Sequence, residues 1–150
     1  IKQKQNILIT GSTGAGKSYM ASAIGHQACS LGYKVMYYNT NKLFTMLKTS
    51  KADGSYLKQI NKLEKQDLLI IDDFGLKALD AINRHSFMEI IEDRHGEHSI
   101  IIASQLPVEA WHEIIGEQTI ADAILDRLVH NAHRIDIKGE SMRKKMKNKD

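Results

Sequence analysis

Short apolar runs alternate along the chain with longer segments of helical period. The predicted strands are residues 7–10, 35–38, 68–71, 99–103 and 133–137. Apolar positions at helical spacing predict helices over residues 17–31, 41–64 with a break near 53–55, 80–94 capped by Asp80, and 119–129, and a further helix that opens at Pro107. Strand and helix therefore alternate along most of the sequence.

This alternation predicts the fold class. Strands separated by helices pair in parallel through right-handed crossovers. The first four strand runs are largely apolar rather than alternating, which indicates a sheet covered on both faces. We therefore expect a three-layer α/β domain.

The composition is that of an ordinary globular domain. With 150 residues, of which 42% are hydrophobic and 26% charged, the chain suits one domain with a substantial core. No apolar run approaches the ~20 residues that span a bilayer, and the first residues show no signal peptide. Cys29 is the only cysteine, so no intramolecular disulfide can form. We expect a cytoplasmic protein without membrane contact, in which Cys29 is a packing residue.

The strongest chemical signal is the segment 11–18, which reads Gly-Ser-Thr-Gly-Ala-Gly-Lys-Ser between a predicted strand and a predicted helix. In this context the glycines expose backbone N–H groups to phosphates, and the helix adds its positive end. Lys17 should reach the β- and γ-phosphates of ATP, and the Ser18 hydroxyl should ligate Mg²⁺. The predicted residues that bind ATP or ADP are Gly11, Ser12, Thr13, Gly14, Ala15, Gly16, Lys17, Ser18 and Tyr19.

Polar side chains follow two further strands. Asp72 and Asp73 come directly after the apolar run 68–71, which places two carboxylates beside the phosphate loop at the carboxyl edge of the sheet. Asp72 is the predicted acid on the magnesium side, and Asp73 is the predicted general base for the attacking water. Ser104 and Gln105 would approach the γ-phosphate or that water if their strand lies between the first and the third.

With these motifs in place, the sequence resembles the AAA+ superfamily, and more closely the IstB-like helper ATPases of insertion-sequence transposons, which are related to DnaC-like helicase loaders. The resemblance covers nearly the whole chain. It rests on the phosphate loop and on the segments 68–75, 102–111, 123–128 and 138–143. It implies a central five-stranded parallel sheet in the order 5-1-4-3-2, with little or no C-terminal lid.

The resemblance also implies roles for individual residues. Ser104 and Gln105 occupy the sensor-1 position, and Arg143 resembles a sensor-2 arginine. Arg127 resembles the arginine finger, which stabilises transition-state charge on ATP bound to a neighbouring subunit. A surface ion pair is the alternative for either arginine. The family acts as an ATP-bound oligomer on DNA and directs a transposase to its target.

Two departures from the family pattern affect these expectations. Many AAA+ proteins carry Glu where this chain has Asp73, so we expect slow hydrolysis that depends on DNA or on oligomer formation. Family proteins also carry an N-terminal domain ahead of the phosphate loop, which we expect to be absent from this chain. We therefore assign residues 1–137 to the ATPase core and residues 138–150 to a sensor-2 segment and a basic tail.

Two basic regions are candidates for DNA contact. Residues 138–150 carry six cations and two anions within a chain of net charge +3. The segment 41–66 carries six lysines against two acids, and Lys48, Lys51 and Lys58 are the residues we select from it. Such lysines could neutralise phosphates without reading bases, whereas the alternative is a solvated helical face and a solvated chain end.

Several functions remain open on the sequence alone. The leading hypothesis is a DNA-dependent ATPase that regulates a transposase. A replicative helicase loader has the same fold and site with a different partner, and a nucleotide-gated assembly module would bind ATP and barely hydrolyse it. A small-molecule P-loop kinase is a fourth option, which the helical setting of Arg127 disfavours.

Overall fold

The structure is a computed structural model that describes residues 1–12 and 16–137. Its elements, in chain order, are β1 (Asn6–Thr10), α1 (Lys17–Ser30), β2 (Val35–Asn39), α2 (Thr40–Asp53), α3 (Tyr56–Glu64), β3 (Leu68–Phe74), α4 (Ala81–Arg94), β4 (Ser99–Ser104), a 3₁₀ turn (Val108–Ala110), α5 (Trp111–Ile115), α6 (Gln118–Val129) and β5 (Ala132–Asp136). Every predicted strand and helix is present, with ends that differ by a few residues.

The five strands form one parallel sheet in the order β2-β3-β4-β1-β5. This is the predicted order 5-1-4-3-2 read from the opposite edge. Since every strand is parallel, all five carboxyl ends lie along one edge of the sheet. Within the described residues no helical lid follows β5.

Two hydrophobic cores cover the two faces of the sheet. Helix α1 packs on one face, where Gly25 allows a close approach because a Cβ there would lie 2.9 Å from Ile70 Cδ1. Helices α2 to α6 pack on the other face around a larger cluster that includes the fully buried Trp111. The three-layer prediction is therefore confirmed.

Local signals set several of the helix boundaries. Asp80 caps α4 as predicted, because its carboxylate accepts a hydrogen bond from the Asn83 N–H at 2.8 Å. Pro107 precedes a 3₁₀ turn rather than sitting in the first turn of an α-helix. The expectation that Cys29 is a packing residue is wrong, since it is exposed late in α1.

Strand β3 continues further than the apolar run predicted. It includes Asp72, Asp73 and Phe74, and its pairing with β4 becomes irregular between Ile71 and Phe74. At the irregularity Asp73 has a φ of 58°, a left-handed conformation that aspartate tolerates better than most residues. The bend separates the directions of the two carboxylates.

In the described ranges, none of the helices has both the length and the apolar composition that crossing a bilayer requires.

Candidate nucleotide site

The phosphate loop begins where β1 ends, in the middle of the sheet. The Gly11 N–H donates to the Ser104 carbonyl at 3.1 Å, which ties the loop to the end of β4. A Cβ on Gly11 would lie 2.2 Å from the Ile137 carbonyl oxygen, so only glycine fits there. Gly16, with a φ of 94°, forms the N-cap of α1. Thr13, Gly14 and Ala15, three of the predicted nucleotide-binding residues, lie outside the described residues.

The first turn of α1 presents a cation and a hydroxyl at the loop. Lys17 is 7% exposed, and its ammonium donates to the Ser12 carbonyl at 3.1 Å. Within residues 1–12 and 16–137 this is its one side-chain hydrogen bond, which leaves two of its three protons for phosphate oxygens. Ser18 is exposed, and Tyr19 is turned to solvent at 80% exposure.

Asp72 is the centre of the hydrogen-bond network. Its side chain is 2% exposed, its Oδ1 accepts from the Asp73 N–H at 2.8 Å, and its Oδ2 accepts from Ser18 Oγ at 2.7 Å. The Tyr37 hydroxyl donates to the same Oδ2. The structure thus brings Ser18 and Asp72, which are 54 residues apart, into direct contact.

This donor set fits Mg²⁺ bound with ATP. Magnesium sites with nucleotide phosphates use oxygen ligands, one or two of them from carboxylates, and the Ser18 hydroxyl and Asp72 carboxylate supply both types. Across residues 1–12 and 16–137 no group of three or more His, Cys, Asp or Glu could hold a metal on its own. A cation here would therefore take its remaining ligands from phosphates and water.

Asp73 is held by a residue that the sequence did not single out. Asn39 Nδ2 donates to Asp73 Oδ2 at 2.9 Å, while Asn39 Oδ1 caps α2 by accepting from the N–H groups of Asn41 and Lys42. Thr40 Oγ1 also donates to the Asp72 carbonyl at 2.6 Å. The second acid is therefore linked to the start of α2.

The sequence held only a weak signal for Tyr37 and Asn39. Both belong to β2, and Asn39 lies opposite Asp72 in the β2–β3 register. A polar residue at a strand end is common, so this pairing becomes informative only once the register is known. Burial, and then the Asp72 carboxylate, raise the pKa of the Tyr37 hydroxyl, which keeps it a protonated donor.

Ser104 and Gln105, at the end of β4, differ from each other in their exposure to solvent. Strand β4 lies between β1 and β3, as the sensor-1 prediction required. Ser104 is fully buried; its hydroxyl donates to the Phe74 carbonyl at 2.5 Å and accepts from the Leu106 N–H at 3.1 Å. Gln105 is exposed at the carboxyl edge, so it is the one whose side chain is available to a ligand.

Arg127 is remote from the phosphate loop of its own chain. It lines a cavity of about 250 Å³ with Asn6, the first residue of β1, and Asn131, which precedes β5. That cavity is at the amino edge of the sheet, and the loop is at the carboxyl edge, about 13 Å away along β1. Arg127 donates to the Ala123 carbonyl at 3.0 Å and lies 3.7 Å from Glu92. The predicted sensor-2 residue, Arg143, lies outside the described residues.

The lysines selected for DNA lie on α2 and α3, and all three are exposed. Lys48 forms an ion pair with Asp80, and the Lys51 ammonium lies 4.7 Å from the centre of the Tyr56 ring. In the part of the chain that the structure describes, Lys58 makes no ion pair. Both helices pack on the face of the sheet opposite α1.

Known proteins resemble this chain along its length. A sequence profile of the family described as IstB-like ATP binding protein matches residues 1–150. An insertion-sequence ATP-binding protein of Sinorhizobium fredii is 51% identical over 149 residues, which cover 99% of this chain and 61% of that protein. The IS21 ATP-binding protein of Pseudomonas aeruginosa is 31% identical over 149 residues, 99% of this chain and 56% of that protein. The chain thus spans less than two thirds of the length of these relatives.

Solved structures agree on the architecture. DnaI superposes with a TM-score of 0.80 at 24% identity, covering 91% of this chain and 74% of DnaI. The DnaC helicase loader superposes with a TM-score of 0.77 at 20% identity, covering 91% of this chain and 80% of the loader. At these identities the likeness establishes the fold alone, that of a parallel α/β P-loop domain. The profile match over all 150 residues and the close relatives establish more: the chain belongs to the family of IstB-like ATP binding proteins.

Proposed function

We propose that this protein is a magnesium-dependent ATPase that converts ATP and water to ADP and phosphate. The contact between Ser18 and Asp72, beside the buried Lys17, carries the proposal. Lys17 would hold the β- and γ-phosphates, and Ser18 and Asp72 would hold the cation, which neutralises charge that develops on the transferred group. A plain nucleotide-binding module would not need a second acid at this edge.

Asp73 is the proposed general base. Its carboxylate lies on the bent end of β3, where the irregular pairing turns it away from Asp72. Asn39 takes one of the two lone-pair positions of Oδ2, so the second position and the other carboxylate oxygen are left to accept a proton from water. Because aspartate is one methylene shorter than the glutamate of many AAA+ proteins, we expect slow turnover that DNA or assembly stimulates.

Steady-state hydrolysis of Asp73→Asn tests this assignment. The variant should lose about 100-fold in turnover, as for removal of a general base, and keep its affinity for ATP. Asp67→Asn is the matched control, because Asp67 precedes the same strand at the opposite edge of the sheet, where its carboxylate accepts from the Lys34 N–H. Chelation of magnesium should abolish turnover in both. Equal rates for wild type and Asp73→Asn would remove Asp73 from the mechanism.

We further propose that the ATP-bound protein assembles on DNA and acts there on a transposase. The insertion-sequence proteins among its relatives support this context. The position of Arg127 supports assembly, because a cation at the amino edge could reach phosphates only on another subunit. Co-purification with the transposase of the same insertion sequence is the test of the partner. Retention of a replicative helicase instead would favour a helicase loader.

The surface formed by α2 and α3 is the proposed DNA contact. Reversing the charge at Lys51 and Lys58 should weaken binding to DNA duplexes of unrelated sequence by similar factors, because contacts to the DNA phosphates carry no sequence information. Each lost phosphate contact should also reduce the slope of log affinity against log salt by about 1. Lys34→Glu, an exposed lysine ahead of β2 that belongs to neither α2 nor α3, is the matched control. Unchanged affinity and an unchanged slope would exclude this surface.

A further inference from the structure

Tyr37 sits beside the magnesium-side acid without being part of any motif of the phosphate loop. It is the middle residue of β2, an edge strand, and shares the α1 face of the sheet with Val35. Its side chain is 46% exposed, and it lines a shallow groove between α1 and β2. A tyrosine in such a place could simply cover apolar surface, yet the Tyr37 hydroxyl donates a hydrogen bond to Asp72.

The hydroxyl completes the hydrogen bonding of one carboxylate oxygen. Asp72 Oδ2 accepts from both Tyr37 and Ser18, and Oδ1 accepts from the Asp73 N–H. An oxygen of an ionised carboxylate has two lone-pair positions, so the two hydroxyls occupy both on Oδ2, and Oδ1 keeps one position through which Asp72 would contact the cation. Asp72 is thereby held from three sides in a nearly solvent-free position.

We propose that Tyr37 is a positioning residue for the magnesium site, acting through Asp72. It fixes the Asp72 carboxylate so that Oδ2 faces Ser18, and the Ser18 proton then points at Asp72. The lone pairs of Ser18 Oγ are thereby directed away from Asp72 and left for the cation. Groups that orient a metal ligand in this way affect metal affinity by about 10–100-fold when removed.

The neighbouring Tyr38 provides a matched control. Successive strand residues point to opposite faces, and Tyr38 packs against the large cluster under α2 to α6 rather than toward Asp72. Tyr37→Phe and Tyr38→Phe each remove a single hydroxyl from the same strand. Only the first removes a donor to Asp72.

The experiment measures nucleotide binding, not turnover, since the inference rests on the proposed function of the site. Binding of a fluorescent ATP analogue is titrated with magnesium, and separately recorded in EDTA. Tyr37→Phe should raise the magnesium concentration for half-maximal effect about tenfold and leave binding in EDTA unchanged, whereas Tyr38→Phe should match wild type in both. Titration with Mn²⁺, followed by electron paramagnetic resonance, should show the same shift.

The outcomes separate the two proposals. If wild type binds the analogue with a clear magnesium dependence and Tyr37→Phe does the same at the same concentrations, the role of Tyr37 is excluded while the ATPase proposal stands. If magnesium has no effect on nucleotide binding by wild type, both are overturned. A thermal unfolding curve close to wild type shows that Tyr37→Phe is folded, and an equal shift in binding with and without magnesium would indicate a structural role only.

Discussion

At the scale of single residues, the arrangement of the site depends on which carboxylate each hydrogen-bond donor contacts. Asp72 and Asp73 are adjacent in sequence, yet one is nearly sealed from solvent and the other is bent away by its left-handed backbone. Separate partners then hold them, Ser18 and Tyr37 for the first and Asn39 for the second. This separation fits the two proposed functions, cation binding by Asp72 and proton acceptance by Asp73.

Replacing Asn39 should expose its role toward Asp73. Asn39→Ser retains an oxygen that can cap α2, but it loses the amide that reaches Asp73 Oδ2. We expect the turnover number to fall about tenfold, a part of what a general base contributes, with the KM for ATP unchanged. Steady-state kinetics check this, with Asn41→Ser as the control for the same chemical change two residues on. A fall in both variants would point to α2 itself rather than to Asp73.

At the scale of secondary structure elements, the residues that cap the helix N-termini also make contacts between helices. Asp80 illustrates this, because one carboxylate both caps α4 and pairs with Lys48 of α2. The pairing with Lys48 and then the Asn83 N–H lower the pKa of Asp80. Its contribution to stability is therefore complete above the ordinary aspartate pKa, about 3.9, and is lost as pH falls through the lowered value in the folded state.

Two substitutions at Asp80 separate the cap from the ion pair. Asp80→Ala should lower the free energy of unfolding by about 1 kcal/mol, because the Asn83 N–H loses its acceptor. Asp80→Asn keeps an acceptor and loses only an exposed ion pair, so it should change stability by no more than a few tenths of a kcal/mol. Thermal unfolding at neutral pH measures both, with an expected shift of about 2–4 °C for the alanine variant. Equal losses in the two variants would mean that the ion pair dominates.

At the scale of the whole molecule, the parallel sheet separates the groups that the proposed reaction needs. The phosphate loop, the two acids and Gln105 lie at the carboxyl edge, and Arg127 lies at the amino edge with its cavity. A rigid sheet of five strands cannot bring these edges together. A second copy of the chain is the simplest source of the missing cation, and its interface would be heterologous, with different surfaces on the two subunits.

Mixing inactive variants tests this arrangement. Lys17→Ala should fail to turn over ATP, and Arg127→Ala should lose about 10³-fold. In an equal mixture, about a quarter of the interfaces would join an intact loop to an intact arginine, so partial turnover should return. The control mixes Lys17→Ala with a Lys17→Ala/Arg127→Ala double variant, which can form no intact interface. No rescue at any ratio would contradict a shared site.

The secondary structure elements, their parallel pairing and the phosphate loop could all be predicted from residue order, because apolar periodicity and loop glycines are local properties. The resemblance supplied the strand order. Ser18 and Asp72 were also predicted to lie close, since strands that run parallel must end at the same edge. Chain segments that were less strongly patterned, such as the one after Pro107 and the polar end of β3, differed from expectation at their boundaries.

Which polar side chains contact each other depends on the folded arrangement of distant segments. The contacts of Tyr37 and Asn39 with the two acids depend on the β2–β3 register, and a shift of one residue would turn both side chains to the other face. Burial also distinguishes Ser104 from its neighbour Gln105. The Ser104 hydroxyl is buried and links β3 to β4, whereas Gln105 is exposed. The position of Arg127 at the far edge follows from the direction of α6 between two parallel strands. These are consequences of packing between distant segments, which no local pattern of residues records.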